Sequence, residues 1–107
     1  MLIIRENLSR YPIPEQVLKN IVDAHVAWAK ELRAKGIFRS GNGLKSEGRL
    51  IELVNDTVVV QSLRDVSEGI GGYYVIEADN LDAAVNIAKT CPTFSEGDKV
   101  EVRELGV

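Results

Sequence analysis

The segment Asp23-Ala24-His25-Val26-Ala27-Trp28-Ala29-Lys30 carries the one histidine and the one tryptophan of the chain, three residues apart. A neutral imidazole titrates near neutrality and passes protons in either direction, so His25 is the natural candidate for acid/base work if it lines a pocket. The competing reading is a core histidine whose ring nitrogens are satisfied by backbone or water. Trp28 and Tyr73 are candidates for the wall of a pocket that takes a flat organic ligand. Tyr74 points to the opposite face of its strand from Tyr73 and reads as packing. Ser40 and Asn42 could set a hydroxyl and an amide at a pocket rim, and are equally ordinary turn formers.

Other chemistry finds little support. Cys91 is the only cysteine, so it forms no internal disulfide, and with a single histidine in the chain it has no partners for a structural zinc. Lys89 is the nearest cation to it in sequence, which gives no reason for a lowered thiol pKa. No Asp-rich loop at calcium-binding spacing is present, and no metal or other cofactor is expected. Ser67-Glu68-Gly69-Ile70-Gly71-Gly72 contains a Gly-x-Gly-Gly, but a phosphate loop needs a strand before it and a helix after it, and here a strand follows. These glycines are better read as permitting a bulge or a close backbone approach.

The elements that must position His25 follow from patterning. Met1 to Arg5 is short, apolar and uncapped, a first strand. Pro14-Glu15-Gln16 suits the first turn of a helix that runs to about Lys35, where Gly36 stops it. At a rotation of about 100° per residue, Val17, Leu18, Ile21, Val22, Trp28, Ala29 and Leu32 fall within one arc of about 140°, and His25 lies close to its middle. His25 is therefore on the buried face of the helix. Ile37 to Leu44 reads as a short strand entering a glycine-rich turn. Arg49 to Val54 and Thr57 to Leu63 flank Asn55-Asp56 as a β-hairpin. Arg64 to Gly72 is expected to be a loop, followed by a strand over Tyr73 to Ala78. A helix capped by Asp79 or Asn80 then runs from Leu81 to about Thr90, and a last strand covers Val100 to Arg103.

This order predicts an α+β fold, a ferredoxin-like split βαβ pattern with an extra strand or two, its antiparallel sheet carrying both helices on one face. Strands such as Thr57 to Leu63 offer apolar side chains at both parities, so the second sheet face needs a cover, and a homodimer through that face is the simplest one.

The 107 residues suit a single domain over 1–107. Hydrophobic residues at 45% and charged residues at 27% are ordinary for a globular chain. A net charge of -3 with acids and bases interspersed argues against nucleic acid as a direct partner. Apolar runs are only a few residues long, far short of the roughly 20 that span a bilayer, and the N-terminus has no signal-peptide pattern, so no membrane role and a cytoplasmic location are expected.

The segments "AHVAWAKELRAKGIFRSGNGL", "GGYYVIEADNLDAAVNIAKTCP" and "KVEVRELG" resemble the YCII-related family over nearly the whole chain, and more closely its DGPF-domain branch. The resemblance implies a ferredoxin-like fold that dimerises as a dimeric α/β barrel, and a histidine paired with an aspartate in a pocket at the helix. One such relative is linked to breakdown of chlorinated aromatic lactones, and others accompany sigma factors. The Asp-Gly-Pro-Phe segment that names the branch falls near Val60-Gln61-Ser62-Leu63 and is missing. Ala34 stands where YciI-like members carry the acidic partner of the histidine. Asp65 and Glu68 are the nearest substitutes for that carboxylate.

Two functions follow. One is a small homodimer that binds an organic molecule near His25, with lyase- or isomerase-like acid/base chemistry by His25 and Asp65, and with Trp28, Ser40, Asn42, Glu68 and Tyr73 contacting the ligand. The other is a non-catalytic interaction or regulatory module in which His25 is structural, because an imidazole without an orienting carboxylate loses tautomer control. A cavity open to solvent beside His25 separates the two.

Overall fold

The computed structural model describes residues 1–7, 13–63 and 68–106. Their order is β1 (Leu2–Asn7), α1 (Glu15–Ala34), β2 (Phe38–Gly43), β3 (Arg49–Val54), β4 (Thr57–Ser62), β5 (Glu68–Ile76), α2 (Leu81–Ala88), a 3-10 helix (Pro92–Glu96) and β6 (Lys99–Val102). β2, β5, β1 and β6 form one sheet in that order, antiparallel at every junction. With the β3–β4 hairpin set aside, the chain reads βαββαβ, and β5 lies between β1 and β2. That is the split βαβ arrangement of ferredoxin-like folds.

Alternation along β1 decides which face meets the helices. Leu2, Ile4 and Glu6 are buried, while Ile3 is half-buried and Arg5 exposed. Leu2, Ile4, Trp28, Leu32, Tyr74, Ala88 and Cys91 make one core cluster, so both helices pack on the same sheet face. Only part of the apolar arc of α1 enters this core. Trp28 and Leu32 are buried, whereas Leu18 and Val22, about two to three turns before Trp28, are exposed. The same face therefore packs at its C-terminal half and opens at its N-terminal half.

Local signals account for the boundaries. Gly36 takes a left-handed φ of 73° that ends α1 without a Cβ penalty. Asn80 caps α2 by accepting a hydrogen bond from the Ala83 N–H at 2.8 Å. Asn55 and Asp56 turn the hairpin with φ of 48° and 64°, the two positive values of a type I′ turn.

Three expectations need correction. β5 begins at Glu68, so the glycine-rich stretch from Gly69 to Gly72 is strand rather than loop. Its backbone pairs with β1 on one side and, at Gly72, with β2 on the other, while glycines supply no side-chain alternation by which a strand is recognised. β1 extends two residues beyond Arg5, and that brings Glu6 into the sheet. The extra hairpin, expected as added strands, forms its own two-stranded sheet. All of β3 and the first four residues of β4 are exposed.

Candidate functional site

Where α1 parts from the sheet there is a cavity of about 370 Å³. Leu18, Ile21, Val22 and Val26 line its helix side, Phe38, Gly41, Asn42 and Gly43 of β2 and the following Leu44 border it, and Gly71, Gly72 and Tyr74 of β5 form its floor. Leu18, Val22, Val26 and Leu44 are exposed as well as cavity-lining, so the space communicates with solvent.

His25 lies on this wall, half-buried, with Nδ1 2.6 Å from the Tyr74 hydroxyl. The two rings are nearly parallel, 15° apart with centroids at 5.9 Å. Behind them Trp28 meets Tyr74 edge-on, at 83° and 4.9 Å. The indole N–H of Trp28 donates to Thr90 Oγ1 at 3.0 Å, and the Thr90 hydroxyl donates on to the Ile87 carbonyl at 2.7 Å. A core tryptophan with a satisfied N–H thus fixes the tyrosine, and the tyrosine fixes the imidazole.

Burial pushes the Tyr74 phenol up to about 12, with a smaller contribution from Cys91. The phenol therefore stays protonated at neutral pH and is a neutral partner for His25. A hydroxyl both donates and accepts, so it holds the ring orientation with either tautomer. Unlike a carboxylate, it adds no negative charge to stabilise an imidazolium. Cys91 is itself buried and its thiol is raised by burial, against which the Thr93 backbone works more weakly. That describes a packed thiol, not an activated nucleophile.

Of the residues singled out from the sequence, His25 and Asn42 line the cavity. Trp28 is core behind it. Tyr73 pairs with Ile3 and with Asn42 on the other side of the sheet from Tyr74, and its hydroxyl is 3.5 Å from the Asn42 amide nitrogen, a long contact. Ser40 sits opposite Val75 and is exposed. Asp65 and the side chain of Glu68 lie outside the described residues.

The structure brings Tyr74 to His25, and it adds two buried carboxylates to the cavity wall. Glu6 is 7% exposed and Asp98 9% exposed. The signal for Glu6 was the period-2 stripe Leu2, Ile4, Glu6, which carries a carboxylate onto the helix-facing side. For Asp98 and the buried Thr93, contributed by the turn around the 3-10 helix, no sequence pattern pointed inward. Arg33 also lines the cavity, its guanidinium 4.3 Å from the Phe38 ring centroid. Among the described residues no group of three or more His, Cys, Asp or Glu side chains could hold a metal ion. Among the same residues no helix is long and apolar enough to cross a membrane.

In a comparison with protein families, the model of the YCII-related domain matches residues 2–105. A search of curated proteins returned no match.

Proposed function

This chain belongs to the YCII-related domain family, and we propose that it is a cytoplasmic homodimer, nearest the DGPF-domain branch, that takes a small organic molecule in the His25 cavity and moves protons on it. The observation that carries this reading is the pairing of His25 with Tyr74 on the wall of a solvent-connected cavity. A histidine retained only for packing has no need of such a space. The cavity falls within the range of small-ligand sites, and its apolar lining with a few convergent polar groups is the usual composition of one. The chemistry such a site supports is lyase- or isomerase-like: a proton removed from or returned to a ligand by an imidazole held in one orientation.

The hairpin supports the homodimer. Ile51 pairs with Val60 and Leu53 with Val58, which puts all four side chains on one face of β3–β4. They are 65%, 58%, 67% and 65% exposed in the same order. A two-stranded sheet is marginal by itself and gains its stability from covering an apolar face. A second copy supplies that cover with an identical, self-complementary surface.

The test is a screen of small organic fragments, with bound ones mapped by heteronuclear NMR. Shifts clustered at His25, Gly71 and Gly72 are expected. Fragments that bind only elsewhere would oppose the reading.

A further inference from the structure

We propose that Glu6 is a second proton-transfer group of the cavity, working opposite His25 on the same ligand; the proposal rests on the reading of the cavity given above. Leu2 and Ile4 spend their inward positions on the core, and the next inward position of β1 carries a carboxylate instead. Removing a carboxylate from water is costly, and a third aliphatic residue would have extended the core at no such cost. Glu6 does not extend the core; it lines the cavity that His25 lines from the helix side.

β5 is shaped around this side chain. Its pairing with β1 slips between Ile4 and Arg5, since Ile4 faces Gly72 while Arg5 faces Ile70, and Gly71 is the residue left over at the bulge. A Cβ at Gly71 would stand 2.6 Å from Glu6 Cδ and 2.7 and 2.9 Å from its two oxygens. No side chain other than hydrogen fits there while the carboxylate keeps its place. The bulge and the missing Cβ together leave room for one charged group on the cavity wall.

Among the described residues, the charges bordering the cavity define what Glu6 adds. From α1 come His25 and Arg33, from β1 Glu6, from β5 the neutral Tyr74, and from the turn before β6 Asp98. Tyr74 orients the imidazole without countering its charge. The Glu6 carboxylate provides the countercharge from the opposite wall and a second site for a proton. A proton taken from one ligand atom onto the Glu6 carboxylate is matched by one returned to another ligand atom from the His25 imidazolium: one bond to hydrogen breaks, one forms, and solvent resets both groups with no oxidant or reductant.

The test uses the single histidine as its reporter. His25 is titrated by NMR in the intact protein and in Glu6→Gln. Loss of the carboxylate is expected to lower the His25 midpoint by about half a pH unit, a roughly threefold fall in proton affinity. Glu6→Met, which removes the charge while suiting an apolar wall, gives the same shift and serves if Glu6→Gln does not fold. An unchanged midpoint in a folded variant overturns the proposal. Carbethoxylation of His25 by diethylpyrocarbonate in the wild type separates the two readings. If the folded protein resists the reagent, the cavity reading fails; if His25 reacts and its midpoint ignores Glu6, only the role of Glu6 fails.

Discussion

The Tyr74 hydroxyl lies 2.6 Å from His25 Nδ1, across the packing of a β5 residue against the middle of α1. The imidazole is thus oriented by a neutral group that is itself clamped by Trp28. Tyr74→Phe keeps the ring packing and removes the bond. It should cost about 1 kcal/mol in urea denaturation, and the His25 ring signals should broaden or split as the orientation is lost.

The same tyrosine makes stability depend on alkaline pH. Its phenol is raised from about 10 in an unfolded chain to about 12 by burial, with Cys91 as the lesser cause. The folded state therefore holds that proton more tightly than the unfolded state does. The contribution is complete below about pH 10 and is lost as pH rises through about 12. Denaturation midpoints measured across this window should fall in the wild type, and Tyr74→Phe should flatten that part of the fall.

Gly71→Ala should destabilise the protein by roughly 1–3 kcal/mol, because the new methyl must displace either the Glu6 carboxylate or the β5 backbone. In Glu6→Ala the obstacle is gone. The double variant Glu6→Ala/Gly71→Ala should then be more stable than the sum of the single losses by on the order of 1 kcal/mol. Additive losses measured by denaturation would mean that the two residues do not share space.

Ile51→Glu places a charge at the centre of the apolar hairpin face, beside Val60 and two residues from Leu53. Sedimentation at micromolar concentration should give a dimer for the wild type and a monomer for this variant, with the isolated fold retained. A wild-type monomer would count against the second copy as the cover of that face.

Much of this arrangement could be read from residue order. The rotation of α1 put His25 near the middle of the apolar stripe, and it does lie on that face, but periodicity could not tell that the stripe is split between core and cavity. That division depends on how far α1 stands from the sheet, which is a tertiary quantity. The βαββαβ order and the hairpin at Asn55-Asp56 were legible because alternation and turn chemistry are local. The strand through Gly69 to Gly72 was not, since glycine hides alternation; the glycines did signal a bulge or close approach, but not that Glu6 would be seated there. A first strand ended at Arg5 stops one residue short of that carboxylate. Tyr74 read as packing because its T-shaped contact with Trp28 is packing; its second role depends on a pairing 49 residues away along the chain.

The most direct test of the central claim compares the affinity of one cavity-mapped fragment for the wild type and for folded His25→Ala, by NMR titration. A working imidazole on the cavity wall predicts binding weakened by about tenfold or more, the loss of one well-placed polar contact. Equal affinity for the two proteins would contradict the account and leave His25 as a residue of the fold alone.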